Sequence, residues 1–388
     1  MQAKIKKIID IIFIICVFMF IGGSLVKSII KPINVIEREN RYANKYESIS
    51  ISKFLNNNIQ TNIENTLADQ ILISGKLKSA NNYFKGNLVK FYIDKYFKNA
   101  NEYIYLSDVN FYGSTMVYKP IYMNNIKGDL NKKITNYNEL ISSYKNVDFY
   151  AYYIEKDTDI DFDTNQKTGV FDYLKSNLNV NNISKFEINN IKDFNNYFYR
   201  TDHHWNYRGS YKGYTEVMNL LGFKNYKQYE EEVCLGNDFS GSKAMSSIFN
   251  KVITEPFCVY KFDFENLDIT INGEKKDYGL QSEYISNSET TKINYGNFYG
   301  WDEGEVIFQN NNSKTKDNII IIGESYDNAI LKLLAESFNT TISIDLRNYE
   351  HYMNKKFNIN EYINKYQINK ALFIGNLSFY TSEDFIIK

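Results

Sequence analysis

The longest apolar run lies at the start of the chain. Ile8 to Val26 is nearly all apolar, with Lys4, Lys6 and Lys7 before it and Lys27 and Lys31 after it. At about 1.5 Å per residue such a run just spans a hydrocarbon core. Residues 1–31 are therefore expected to form a membrane anchor, with the rest of the chain outside the cytoplasm. A cleaved secretory peptide is the competing expectation, but only Gly22-Gly23-Ser24 offers small residues near a cleavage point. Residues 32–100 read as a linker merging into a helical first part of the domain. Phe54, Ile59, Ile63, Leu67 and Ile71 recur there at helical spacing. The pattern then changes repeatedly. Tyr103 to Tyr118 alternates and predicts strands with a turn near Gly113. Leu130–Tyr144, Val170–Asn177, Gly209–Leu221 and Asp327–Phe338 have helical spacing. Val147–Ile154, Cys258–Phe262, Ile319–Ile322, Thr341–Asp345 and Lys370–Gly375 read as strands. Strands alternating with helices predict an α/β layer fold over 101–388. Residues 264–306 interrupt it as a polar, Gly- and Asn-rich excursion with a hairpin, carrying Tyr299 and Trp301. Such excursions often line active sites.

Composition narrows this picture only slightly. Of 388 residues, 43% are hydrophobic and 23% charged, which is globular rather than disordered. The net charge of −1 offers no basic excess, so no nucleic-acid partner is expected. The 34 Tyr and 27 Phe would suit sugar rings. The chain is equally rich in Ile, Asn and Lys, as an A/T-rich genome gives, so aromatic content alone assigns nothing. Three cysteines make no framework. Cys234 and Cys258 can pair, but their spacing does not demand it, and there is no Cys-x-x-Cys. Asp157 to Gly169 alternates carboxylates like a calcium loop. Phe162 at position six and Thr168 at position twelve break the motif, which leaves a solvated loop.

Chemistry concentrates in two places. Two of the three histidines, His203 and His204, stand between Asp202 and Trp205. A carboxylate beside an imidazole can hold its tautomer and stabilise its cation, as general-base catalysis needs. Asp202 and His204 are two residues apart and can face one cleft if the segment is extended. The second place is Asn318-Ile-Ile-Ile-Ile-Gly-Glu-Ser325-Tyr326, where an apolar strand turns sharply into a helix. Ligands bind at the carboxyl ends of such strands, and a nucleophilic serine belongs there. Arg347 and Asn376 also follow strands, on the same predicted edge. His351 reads as exposed. A metal site of Asp202, His203 and His204 is a rival reading, weakened because adjacent side chains on a strand diverge.

Thr201-Asp-His-His-Trp-Asn-Tyr-Arg-Gly and Ile322-Gly-Glu-Ser-Tyr resemble the DHHW-motif proteins, the alginate O-acetyltransferase-like branch of the SGNH hydrolase superfamily. Arg38-Glu-Asn-Arg41, Asp69-Gln70 and Asp345-Leu-Arg347 add to the resemblance, which covers most of the chain outside the anchor. The resemblance implies an SGNH hydrolase-like three-layer fold with a largely parallel sheet, preceded by the N-terminal transmembrane helix. Its catalytic motifs come in permuted order: Asp202, His204, then Ser325. His204 would deprotonate Ser325, with Asp202 orienting His204 and His203 and Trp205 in support. Tyr326, Arg347 and Asn376 are substrate-binding or oxyanion candidates. Glu324 departs from the Asp or Thr more usual before the serine. The implied activity is O-acetyl transfer to a cell-surface or exopolysaccharide. The acetyl group would come from a multi-spanning membrane acyltransferase, and no cofactor or metal is expected. A polysaccharide acetyl esterase and a non-catalytic polysaccharide-binding or assembly protein are the alternatives.

Overall fold

Ile319 to Ile322 places four isoleucines in succession, and all four are fully buried. Ile319 and Ile321 face one hydrophobic core, while Ile320 and Ile322 face another. A strand covered on both sides needs no polar alternation, which explains the unbroken run. The computed structural model describes residues 11–15, 18–19, 22–23, 26–27, 29–36, 41–48, 50–56, 58–70, 74–97, 101–106, 109–264, 267–276 and 294–387. They form two compact units, Met1–Asp94 with Ser242–Ile253, and Lys95–Gly241 with Thr254–Lys388.

The first unit contains the helices Ile51–Leu55, Asn58–Gln70 and Ser74–Tyr96. Gln70 grips the preceding chain. Its side chain accepts from Ile33 N (2.7 Å) and donates to the carbonyls of Ile33 (3.0 Å) and Asn44 (3.1 Å). Asp69 accepts from the backbone and side-chain amides of Asn44 (2.9 and 2.7 Å). The resemblance at Asp69-Gln70 thus falls on a structural clasp. Among the described residues no helix is long and apolar enough to cross a membrane. Much of the predicted span, and residues 38–40 of the Arg-Glu-Asn-Arg stretch, lie outside the described residues.

The second unit is built on an eight-stranded mixed sheet. Its order is Glu274–Lys275, Asp268–Ile271, Glu305–Gln309, Thr340–Ile344, Asn318–Ile322, Lys370–Gly375, Asp148–Ile154, Asn182–Phe186. The last five are parallel to one another, and the first three are antiparallel additions. The expectation of a largely parallel sheet thus describes five of the eight strands. The polar excursion supplies two of the other three, Asp268–Ile271 and Glu274–Lys275, and runs into the third, Glu305–Gln309. One face carries the Tyr207–Leu220 helix through Tyr214, Val217 and Met218. The opposite face carries the Lys127–Ser143 helix through Leu130, Ile134 and Tyr137. Three layers result.

Two other expectations change, and one strand is new. The segment after Ser325 is a 3-10 turn, Asp327–Ala329, and a short helix, Leu331–Ala335, rather than one long helix. The carboxylate-rich loop is solvated only at its tip, residues 163–166, while Asp157 and Asp159 are buried. Asp157 accepts from Tyr118 N (2.8 Å), and Asp159 accepts from the Tyr153 hydroxyl and from Lys156 N (3.1 Å). These carboxylates serve separate donors. Finally, Glu231–Phe239 is a strand, paired with Glu255–Lys261 and joined to it by a Cys234–Cys258 disulfide.

Candidate active site

The Asn318–Ile322 strand lies between Thr340–Ile344, the next strand in the chain, and Lys370–Gly375, the one after. The chain therefore turns to one side and then the other, the kind of switch point at whose carboxyl ends open α/β sheets take their ligands. Ser325 stands there, three residues past the strand.

The Asp202–His204 loop comes from a different part of the chain and is closed at its base. Phe198 bridges Trp205, Tyr199 N donates to His204 O (3.2 Å), and Asn206 N donates to Tyr197 O (2.8 Å). Asn206 then caps the Tyr207–Leu220 helix by accepting from Arg208 N and Gly209 N. Trp205 is fully buried beneath this helix. Gly213 makes the approach possible, because a Cβ there would collide with the indole ring.

At this edge the three predicted residues form one hydrogen-bonded chain. His204 Nδ1 is 2.7 Å from Asp202 Oδ1, and His204 Nε2 is 2.8 Å from Ser325 Oγ. A carboxylate only accepts, so Nδ1 carries the proton, and Nε2 is left to accept from the serine hydroxyl. Asp202 Oδ1 also accepts from His204 N (2.9 Å). Asp202 and His204 are buried. Burial alone would raise the Asp202 carboxyl. The imidazoles of His204 and His203, with the His204 hydrogen bonds, outweigh it and hold the group well below the usual carboxylate range. The chain of contacts has the arrangement of a nucleophile, its base and the base's orienter.

Supporting residues surround it. The Tyr326 hydroxyl donates to His203 O, which ties the serine turn to the histidine loop. Burial, then the charges of Glu324, Asp157 and Asp202, push the Tyr326 phenol well above its ordinary value, so it remains a donor. Asn376 is buried beside the site, and its side chain hydrogen-bonds the Tyr326 hydroxyl next to Ser325. Its N–H donates to Glu324 Oε1 (2.7 Å), and its Oδ1 accepts from Ser378 N (2.7 Å). Glu324, the unusual residue before the serine, thereby ties the serine turn to the last strand's end. Arg347 is held by Asp345 (2.5 Å) and Asp302 (3.0 Å), so carboxylates already compensate its charge. His351 is exposed, as expected. The two adjacent histidines do not diverge: their rings are 3.9 Å apart. The reason is that this segment is bent rather than a strand. Ligand atoms of Asp202, His203 and His204 lie within 4.8 Å of one another.

Several contacts at the site have no signal in the motifs. Glu255 accepts from Thr201 N (2.7 Å), the Thr201 hydroxyl (2.5 Å) and Arg200 N (3.0 Å), which braces the backbone just before Asp202. Burial raises the Glu255 carboxyl, and those donors oppose the rise. Gly241 N donates to the Thr201 hydroxyl (3.0 Å). Tyr295, from the excursion, stacks on the His204 ring.

The family profile described as "DHHW protein" matches residues 94–344. Among solved structures, PatB1 from Bacillus cereus with a sulfonyl adduct has TM-score 0.59 and 21% identity, covering 74% of this chain and 100% of that one. A DHHW family protein from Eubacterium siraeum has TM-score 0.55 and 17% identity, covering 73% of this chain and 95% of that one. At such identities the likeness is one of fold. Among curated proteins nothing matches the chain.

Proposed function

The chain belongs to the DHHW protein family, and from that premise we propose that it is an extracytoplasmic O-acetyltransferase on an SGNH hydrolase-like fold. It modifies a cell-surface or exopolysaccharide through an acetyl-Ser325 enzyme. The observation that carries this reading is the Asp202–His204–Ser325 hydrogen-bonded chain, with distances of 2.7 and 2.8 Å.

In the first half-reaction Ser325 Oγ attacks the acetyl carbonyl while His204 Nε2 takes the hydroxyl proton. The bond from acetyl carbon to donor breaks, and the donor leaves with that proton. Asp202 remains ionised throughout and holds the imidazolium by its Nδ1–H. In the second half-reaction a sugar hydroxyl gives its proton to Nε2 and attacks the acetyl carbon. Ser325 Oγ leaves and recovers the proton. Water in place of the sugar would release acetate, so exclusion of water at the acyl-enzyme separates transferase from esterase. Cytoplasmic acetyl donors lie across the membrane from such a site, so a multi-spanning acyltransferase supplies the acetyl group. Two features support the extracytoplasmic setting: the lysine-flanked apolar run at residues 8–26 and the Cys234–Cys258 disulfide, which suits an oxidising compartment.

The test incubates the full chain, Ser325→Ala and His204→Ala with an acetyl-ester reporter, with and without a sugar oligomer. Acetylated oligomer is sought by mass spectrometry. The expected result is acetyl-oligomer from wild type alone. Reporter hydrolysis without acetylated sugar would replace the transferase by an esterase. Folded wild type that forms no acyl-Ser325, or that carries a stoichiometric metal, would overturn the reading.

A further inference from the structure

Tyr295 begins the Tyr295–Tyr299 helix, which Asn294 caps by accepting from Gly296 N (2.8 Å). Its ring lies on the His204 imidazole with centroids 4.0 Å apart and planes 6° from parallel. Tyr295 is buried, and it is fixed from other sides by Tyr199, edge-on at 6.4 Å, and by Tyr299 at 4.7 Å. Two neutral aromatic rings prefer offset or edge-to-face packing, because their faces carry like partial charge. A close parallel stack gains attraction when one ring becomes a cation. In the proposed mechanism His204 becomes an imidazolium each time Ser325 is deprotonated.

We infer that Tyr295 is a positioning residue for the general base: its ring fixes the plane of His204 and stabilises the imidazolium by cation–π contact. This rests on the acyl-enzyme reading above. The stack restrains rotation of the ring about its own axis system in a way that the two in-plane hydrogen bonds of His204 do not, since those bonds constrain direction within the plane and the stack constrains the tilt of the plane. The other groups facing His204 are Asp202 and His203 on its own loop and Ser325 and Tyr326 on the serine turn. The charges of Asp157 and Glu324 reach the Tyr326 phenol, and that of Glu255 reaches Tyr199. All of these groups remain in a Tyr295 variant.

The experiment compares wild type with Tyr295→Phe and Tyr295→Leu in the full chain. The rate of Ser325 modification by a sulfonyl fluoride is followed by mass spectrometry across pH. In parallel, the His204 ring is titrated by NMR, where only three histidines need resolving. Leucine keeps the site apolar but removes the π face. Loss of the stack favours neutral imidazole, so the acid limb and the NMR midpoint should move to lower pH by about one unit. The plateau rate should fall about tenfold, because the imidazolium formed on attack is less stabilised. Phenylalanine keeps the face and should stay near wild type in both. A merely structural role would lower the amount of active protein without moving either midpoint. Should Tyr295→Leu fail to fold, Tyr295→Met carries the same expectation. An unmoved midpoint in the aliphatic variant, or a Phe variant that moves as far as Leu, overturns the inference. If wild-type Ser325 is not modified at all, the acyl-enzyme reading fails, and the NMR midpoints still decide whether the stack acts on His204.

Discussion

A methyl group added at Gly241 would run into the Asp202 side chain, meeting its Cβ and Oδ2. The Gly241 backbone is itself fixed, since its N–H donates to Thr201 and Thr201 is fixed by Glu255. Gly241→Ala must therefore displace Asp202 and tilt His204 away from Ser325. Displacements of about 1 Å cost on the order of 10²-fold in rate, so kcat/KM in the reporter assay should fall by about that factor with the protein still folded. Steady-state kinetics at one pH checks this, and a wild-type kcat/KM would show that Asp202 does not depend on the close approach. Asp202, His204 and Ser325 were legible in the sequence because each sits in a short motif whose residue types have little other use together. Gly241, Glu255 and Tyr295 were not. They act on the site from 39, 53 and 91 residues beyond Asp202 or His204, as subtraction of the residue numbers gives, and none has a local pattern that announces a partner. Arg347 and Asn376 were legible as strand-end residues, but not as partners of Asp302 and Glu324, because those carboxylates come from other elements.

At the scale of elements, runs such as Ile319–Ile322 and Lys370–Gly375 could be read as strands because both faces are buried and the composition says so directly. Glu231–Phe239 could not. Its register shifts twice against its partner, between Cys234 and Gly236 and between Gly236 and Phe239, so no alternation survives. The disulfide holds this irregular pair together: Cys234 stands opposite Cys258, with 24 residues of separation. A loop of that length closed in the unfolded chain contributes about 3 kcal/mol of stability. The Cys234→Ser, Cys258→Ser double variant should lose roughly that much in urea unfolding. Reductant should lower wild type to the variant's level and leave the variant unchanged. Equal midpoints for oxidised and reduced wild type would mean that the bridge adds nothing. The partner strand begins at Glu255, the brace beneath Thr201. Activity of the folded fraction should therefore fall as well if the pair loosens, and stay constant if the other pairings along the two strands suffice.

At the scale of the whole molecule, the order of strands in the large sheet is set by non-local pairing, which no periodicity encodes; the sequence predicts four of its parallel strands but not that three further strands join them by successive antiparallel pairings. The same distant pairing produces a feature that governs stability against pH. The chain's end packs on the Lys127–Ser143 helix: Tyr137 donates to Phe385 O (3.0 Å), Asn136 exchanges bonds with Ile387 (2.7 and 2.9 Å), and Tyr137 stacks on Phe373 at 4.2 Å. Lys133 is enclosed there, 1% exposed, its Nζ facing the rings of Tyr137 and Phe385 with no hydrogen-bond partner among the described residues. Burial lowers its pKa to about 7, against the weaker pull of Asp384 and Glu383. In the unfolded chain the amine titrates near 10.4. Between these values the unfolded state binds more protons than the folded one, so this group makes stability rise with pH from about 7 to about 10 and level off on either side. Lys133→Met, of similar length and without the charge, removes that cost. It should stabilise the protein by on the order of 2–4 kcal/mol at pH 7 and by much less at pH 10. Urea midpoints of both proteins at pH 6, 7.5, 9 and 10 measure the difference. A gap that closes towards pH 10 identifies the enclosed amine as its source; a gap that stays constant with pH would mean that the gain comes from packing and that the amine is already relieved of its charge penalty in the fold.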